Sequence, residues 1–190
     1  MLLMVNWTIT EELIKKKKEI EKSNYNAYCF YVLSGTETTI CNELNNNYEN
    51  ILALPILKIE HRSKNGEKYD VETPLLPGYI FAFVPENDNI FEFKTSQYYF
   101  RVLDKENDYG KLYGDDLEYA NWVKSTNGII PVSEAIKIDN KVKIISGPLK
   151  KLEGKIVKYD KRNRNCLIEV EFLNKITNVW LPFEYIKNVE

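Results

Sequence analysis

The chain has 190 residues, of which 44% are hydrophobic and 28% are charged, and its formal net charge is −2. This composition is ordinary for a soluble globular protein. No apolar run approaches the ~20 residues that span a bilayer, and the leading MLLMV is too short for a signal-peptide core. We therefore expect a cytoplasmic protein without membrane contact.

Cysteine and histidine are too few for the common catalytic and metal sites. The three cysteines, Cys29, Cys41 and Cys166, lack Cys-x-x-Cys spacing, which argues against a disulfide framework or a zinc site. His61 is the only histidine, so any His-dependent catalysis must use it. No phosphate-binding loop and no metal-spaced pair of His, Asp or Glu occurs. We expect a protein that is not an enzyme and uses no cofactor or metal.

The first predicted element is a short helix within residues 1–26. Thr8 and Glu11 have the spacing of a capping box, and a lysine-rich segment follows them. We interpret these residues as an N-terminal extension with a mostly exposed helix.

Residues 27–126 carry alternating strand and helix signals. Aromatic and β-branched runs predict strands, and apolar residues three or four positions apart predict helices. Strands are expected at 28–33, 51–59, 69–73, 79–84 and 98–103, with a hairpin tip within 63–68 and the uncharged strand 79–84 in a central position. Helices are expected from Ser34, over 88–96 and from Asp115 to Lys124. In the first of them, Glu37 is the expected capping partner of Ser34, and the apolar stripe is Ile40, Cys41 and Leu44. The order of strands and helices predicts an α+β fold, a ferredoxin-like sandwich of the split-βαβ type.

Residues 127–138 contain Asn127-Gly128 and Pro131 and are predicted to form a linker. Short segments that alternate charged and apolar residues follow in residues 139–190, which predicts a small β-barrel. Residues 139–190 hold 11 Lys and Arg against 7 Asp and Glu, whereas residues 1–138 hold 15 against 21. Opposite net charges indicate separate roles for the two regions.

Three stretches resemble the NusG family of transcription elongation factors. They are YCFYVLSGTE (28–37), PLLPGYIF (74–81), and VKIISGPL with GKIV (142–149 and 154–157), the last of which is similar to the KOW motif. The resemblance implies a NusG-like N-terminal domain over 27–126 and an SH3-like KOW barrel over 139–190. Residues 147–150 with 161–164, and YGDDL at 113–117, most resemble the LoaP subfamily, which promotes antitermination at particular operons. Departures are Ala27, where the family usually has Trp, and residues 173–177, where it has a Gly-Arg-x-Thr turn.

The basic side chains of the KOW-like region are not demanded by the fold, and such patches attract nucleic-acid backbones. A solvated charged face is the alternative interpretation. The candidate RNA-binding residues are Lys150, Lys151, Lys155, Lys158, Lys161, Arg162 and Arg164. Gly147 and Pro148 are instead expected to shape a tight turn, and Gly154 to admit the chain where a side chain would obstruct it.

A second candidate site lies around Leu75 and Leu76, which stand between two prolines. We expect that these side chains do not all face inward, and that a hydrophobic depression there docks a helix. The resemblance implies contact with the clamp helices of RNA polymerase. The candidate polymerase-binding residues are Leu75, Leu76, Pro77 and Tyr79.

Three functions follow from these observations. The first is a monomeric antitermination factor that binds RNA polymerase and an RNA leader hairpin, with non-template DNA as a further contact. The second is a general NusG-type elongation factor whose KOW domain binds protein partners. The third, a metal-dependent nuclease using Asp115 and Asp116, is disfavoured because Asp115 already has a role as a helix cap.

Overall fold

The chain is a mixed α/β protein in its computed structural model, which describes residues 7–93, 100–102, 110–138, 141–172 and 175–186. The helices are α1 (Glu11–Lys22), α2 (Glu37–Asn47), α3 (Gly114–Ser125) and the single turn α4 (Pro148–Lys151). The strands are β1 (Tyr25–Val32), β2 (Leu52–Pro55), β3 (Leu57–Lys64), β4 (Glu67–Pro74), β5 (Tyr79–Pro85), β6 (Phe100–Val102), β7 (Ile129–Ile130), β8 (Ser133–Ile138), β9 (Lys141–Ser146), β10 (Ile156–Asp160), β11 (Asn165–Phe172) and β12 (Lys175–Tyr185). Among the described helices, none is long and apolar enough to cross a membrane.

Two units divide the chain, and the division differs from the predicted domains. The first unit contains the described parts of Met1–Ile56 and Leu76–Gly128, and the second contains those of Leu57–Leu75 and Ile129–Glu190. The β3–β4 hairpin thus belongs with the C-terminal strands. Strands β7 and β8 occupy most of the segment predicted to be a linker.

The first unit is built on an antiparallel sheet with strand order β2-β5-β1-β6. β5 lies inside this sheet, as its uncharged sequence predicts, and Phe81 and Phe83 are fully buried. Helix α2 buries the predicted apolar stripe of Ile40, Cys41 and Leu44. The helix predicted at 88–96 is represented by a 3₁₀ turn at Ile90–Glu92, and residues 94–99 lie outside the described ranges.

Helix α1 packs one face into the first unit, while most of its residues are exposed, as the sequence predicts. Leu13, Lys16 and Ile20 are buried on one face of the helix, where spacings of three and four residues bring side chains together. The cap is Thr10, not Thr8: its Oγ1 accepts the Leu13 N–H at 3.1 Å.

The second unit contains a three-stranded sheet with order β4-β3-β7 and a five-stranded sheet with order β10-β11-β12-β8-β9. The β3–β4 hairpin turns at Asn65-Gly66, both at positive φ, which confirms the predicted hairpin tip. On β11, Ile168, Val170 and Phe172 are buried while the residues between them are exposed. This alternation gives the five-stranded sheet a core face and an outer face.

Candidate functional site

The turn between β10 and β11 displays the most basic part of the predicted RNA-binding set. Asp160 and Asn165 are paired where the strands meet the turn. The Asp160 carboxylate accepts the backbone N–H groups of Arg162 and Asn163 at 3.1 and 3.0 Å, and the Asn163 side-chain amide at 2.8 Å. The hydrogen bonds from Asn163, chiefly its backbone N–H, lower the pKa of Asp160. One carboxylate thus organises the turn and leaves its basic side chains exposed.

Arg164 closes the turn in an unfavourable backbone conformation. Its φ is +54°, in the left-handed region that costs a residue with a Cβ about 1–2 kcal/mol. Its carbonyl accepts the Phe183 N–H at 2.8 Å, which ties the turn to β12. Glycine or asparagine adopts this conformation more readily. An exposed arginine here is therefore better explained by its side chain than by the turn.

The other predicted basic residues are exposed but do not share one environment. Lys150 forms an ion pair with Glu153, at 2.8 Å between Nζ and Oε2. Lys155 lines a shallow cavity together with Glu169 and Glu171. Lys158 lies on β10, two residues before Asp160, where the turn begins. Of these three, Lys158 is the one that extends the basic turn, while Lys150 and Lys155 lie beside carboxylates.

Gly147 and Gly154, the two glycines of the basic stretch 147–165, have different roles. Gly147 has φ +83°, and a Cβ added there would lie 2.8 Å from the Ser133 Cα. The Ser133 hydroxyl accepts the Leu149 N–H at 2.9 Å, which holds α4 against β8. The predicted turn at Gly147 is confirmed. At Gly154 a Cβ would meet nothing within 4 Å, so the expected obstruction at that position is wrong.

The second candidate site differs from its prediction in which side chains are exposed. Leu75 and Leu76 are both buried, so the expectation that they do not all face inward is wrong. In the first unit Pro77 is exposed and Tyr79 is half-buried. The Tyr79 ring packs edge-on against Tyr31, with 5.5 Å between ring centroids.

Tyr31 and Leu33 lie beside Tyr79 and Pro77, and neither is among the predicted site residues. Their exposed fractions are 43% and 57%, which is unusual for large apolar side chains next to the fully buried Val32. Tyr31 is paired with Tyr79 across β1 and β5. A large apolar side chain at an outward position of a strand whose other residues are buried is the sequence signal that could have identified Tyr31. The aromatic surface is the set formed by Tyr31, Leu33, Pro77 and Tyr79.

Glu37 holds the backbone beneath the aromatic surface. It is predicted to be a capping partner of Ser34, but its two carboxylate oxygens accept the N–H groups of Gly35 and Gly78 at 2.8 and 2.7 Å. Its side chain is buried. Gly78 has φ +83°, and a Cβ there would lie 3.2 Å from the Val32 carbonyl oxygen. Glu37 and Gly78 thus fix the approach of Pro77 and Tyr79 to β1.

The thiols and acids of the chain offer no reactive constellation where the structure describes them. Burial raises the pKa of Cys29 and Cys41, and that of Cys166 to about 12, so all three remain protonated thiols. Within the described ranges, no group of three His, Cys, Asp or Glu residues is placed to hold a metal ion. Asp115 lies in the first turn of α3, whose N-cap is Tyr113, so its predicted role as the helix cap is wrong. It is exposed and the adjacent Asp116 is buried, so the two carboxylates do not share one surface.

Comparison with known proteins adds a structural likeness only. No protein-family model matches the chain, and no curated protein matches it. Among solved structures, the chain is similar to NusG from Thermotoga maritima, in a structure that concerns domain interaction. The two chains share 16% sequence identity with a TM-score of 0.48, and the alignment covers 84% of this chain and 94% of that chain. At this identity and TM-score the likeness carries no argument about function.

Proposed function

We propose that the chain is a NusG-type transcription factor of the LoaP kind that binds an RNA leader hairpin and RNA polymerase and opposes termination at specific operons. The observation that carries the proposal is the β10–β11 turn. Its shape is set by Asp160 and Asn163, and its Arg162 and Arg164 side chains are exposed. Exposed guanidinium groups suit both phosphate oxygens and guanine edges.

The two units have strand arrangements that suit this proposal. The order β2-β5-β1-β6, with every pair antiparallel, is the order of a ferredoxin-like sandwich. In the second unit, the KOW-like stretch contains β9 and the start of β10, and β11 after it alternates buried with exposed residues. We assign this sheet to an SH3-like KOW barrel. Both assignments belong to the proposal.

RNA polymerase is the proposed partner of the aromatic surface. Exposed Tyr31, Leu33 and Pro77 beside Tyr79 offer the apolar contact that the tip of an amphipathic helix needs. The clamp helices of the polymerase would dock here and non-template DNA would pass nearby. Two moderate sites on one chain then strengthen each other, because binding at the first raises the effective concentration at the second. The chain has no catalytic role in this proposal.

Salt-dependent binding of the full chain to a panel of RNA hairpins tests the proposal. We expect Arg162→Ala with Arg164→Ala to weaken binding at least tenfold and to lower the slope of log K against log salt by roughly 1 to 2. Lys15→Ala with Lys18→Ala is the matched control, because it removes the same charge from exposed positions of α1. Equal losses in both double variants, or no loss in either, would contradict the RNA assignment.

The general elongation factor remains a second candidate because of two exposed apolar side chains. Val157 and Ile176, on β10 and β12, suit a protein partner better than an RNA backbone. Transcript profiling after deletion separates the two functions. The specialised factor changes a few operons, and the general factor changes most transcripts.

A further inference from the structure

We infer that Trp180 is a stacking platform for unpaired RNA bases, placed beside the basic turn on the outer face of the five-stranded sheet. The inference rests on the proposed RNA binding and assigns what kind of RNA is bound. It concerns a residue outside the predicted basic set. The ligand class is a single-stranded segment, such as a hairpin loop, and not a continuous duplex.

The strand register puts Trp180 in one row with a predicted RNA-binding lysine. Lys158 on β10 is paired with Leu167 on β11, and Leu167 is paired with Trp180 on β12. Directly opposite residues of antiparallel strands project on the same face. Lys158 and Trp180 are exposed, whereas Val179 and Leu181 on either side of the tryptophan are buried. The indole and the ammonium group therefore share the outer face, two strands apart.

Positive charge surrounds this row on two further sides. Lys58 Nζ donates a hydrogen bond to the Trp180 carbonyl oxygen at 2.9 Å. The turn with Arg162 and Arg164 begins at the pair Asp160 and Asn165, two residues along β10 and β11 from the row. Two residues of a strand span about 7 Å. A nucleic-acid backbone held by the arginines thus lies two residues along β11 and one strand, about 4.8 Å, across from Trp180.

The other end of the same face carries two carboxylates and one ammonium group, Glu169 and Glu171 with Lys155, so its net charge is negative. Glu169 is paired with Asn178 and Glu171 with Ile176, so both carboxylates lie beyond the Trp180 row and away from the turn. The face changes from basic at the turn, through aromatic at Trp180, to acidic at Glu171. Phosphate groups are attracted to the first part and repelled by the last. The charge order thus favours a polyanion at the turn, and Trp180 borders this basic end of the face.

Stacking chemistry favours unpaired bases at this position. An exposed indole beside cations is the combination on which single-stranded nucleic acids stack, with about 1–3 kcal/mol per base. Bases inside an A-form duplex are not available to such a platform, because their faces are covered by neighbouring pairs. A protein partner with basic groups would instead prefer the end with Glu169 and Glu171.

Substitution of Trp180 in the full chain tests the inference. We expect Trp180→Leu to weaken binding of a single-stranded or loop-containing RNA about tenfold or more, and Trp180→Phe to retain most of the affinity. Binding of a blunt duplex of the same sequence is expected to be weak and to be unchanged by either variant. Trp122→Phe, in the first unit, is the matched control and is expected to bind like the unmodified chain. Circular dichroism and the melting temperature show whether each variant is folded.

Fluorescence gives a readout that a merely structural role would not move. Trp7 is buried in the first unit, so a Trp122→Phe background leaves Trp180 as the exposed indole. RNA that stacks on Trp180 should quench this emission, and the quenching should disappear in Trp122→Phe with Trp180→Phe. Full affinity in folded Trp180→Leu, combined with a loss in Arg162→Ala plus Arg164→Ala, overturns the platform and leaves RNA binding intact. Full affinity in both overturns the platform and the RNA assignment together.

Discussion

Helix α1 and the β10–β11 turn are both rich in basic residues, but their charged groups differ in whether they bond within the fold or remain exposed. In α1, Lys16 Nζ donates to the carbonyl oxygens of Asn45 and Tyr48 at 2.5 and 2.6 Å. Lys17 Nζ donates to the Asn127 side-chain oxygen at 2.7 Å. Lys16 thus closes the C-terminal end of α2, and Lys17 connects α1 to the residues that follow α3. They belong to the fold.

In the region of the β10–β11 turn, the basic side chains are exposed and the turn is held by other groups. Asp160 and Asn163 make its hydrogen bonds, while Arg162 and Arg164 project outward. The comparison shows that the density of lysine and arginine does not reveal function. The position of the charged end does: Lys16 ends on helix carbonyls, which attract cations, whereas the arginines of the turn remain accessible to a ligand.

The largest expected effect tests whether the backbone conformation at Gly147, and not charge, stabilises the fold of the basic stretch. Gly147→Ala should lower the free energy of unfolding by about 2–5 kcal/mol, because the left-handed φ costs about 1–2 and contact with Ser133 costs more. Gly154→Ala is the control and should change it by less than about 0.5 kcal/mol, since its Cβ would meet nothing. Urea denaturation measures both. Equal effects would show that the two glycines do not differ as described.

The next effect tests the structural role of the α1 lysines. Lys16→Met should cost about 1–3 kcal/mol, because two carbonyl oxygens at the end of α2 lose their donor while the apolar stem is kept. Lys15→Met should cost less than about 0.5 kcal/mol, because Lys15 is exposed and its ion pair with Glu19 is long at 3.9 Å. If both cost the same in denaturant titrations, the structural role assigned to Lys16 is wrong.

The pH dependence of Lys16 gives a smaller effect with a definite sign. Burial lowers the pKa of Lys16 in the folded chain, against the opposing effect of Glu12. Between this lowered pKa and the ordinary lysine value, the unfolded chain binds one more proton than the folded chain, so stability rises with pH. The stability difference between the unmodified chain and Lys16→Met should therefore grow as pH rises through this window. A difference that shrinks in matched denaturation curves would reverse the assignment.

Local patterns predicted the elements whose signals are self-contained. The uncharged run of β5, the apolar stripe of α2 and the Asn65-Gly66 turn all appear where the sequence places them. The remainder depends on partners far along the chain. β7 was predicted within a linker but pairs with β3, joining Leu57 to Ile129. A two-residue strand is too short to show a periodicity that would predict its pairing with β3.

The candidate sites divide in the same way. The basic turn was visible because charged residues are clustered in the sequence. Trp180, Tyr31 and Leu33 were missed because their exposure depends on which face of a paired strand they occupy. Lys155 was included because a sequence does not show that Glu169 and Glu171 line the same cavity. Register decides these residues, and register is a property of strand pairing.

The smallest expected effect asks whether the strain at Arg164 is retained for binding. Arg164→Gly should raise the free energy of unfolding by about 0.5–1 kcal/mol, because glycine relieves the φ of +54° and part of the gain is offset by chain entropy. Arg162→Gly removes the same charge at a position without positive φ, so it should lower stability by a similar amount. RNA affinity should fall in both, since each loses one guanidinium group. A more stable Arg164→Gly chain that binds RNA fully would mean that the strained arginine belongs to the turn alone, and the contrast with the lysines of α1 would then rest on Arg162 and its neighbours.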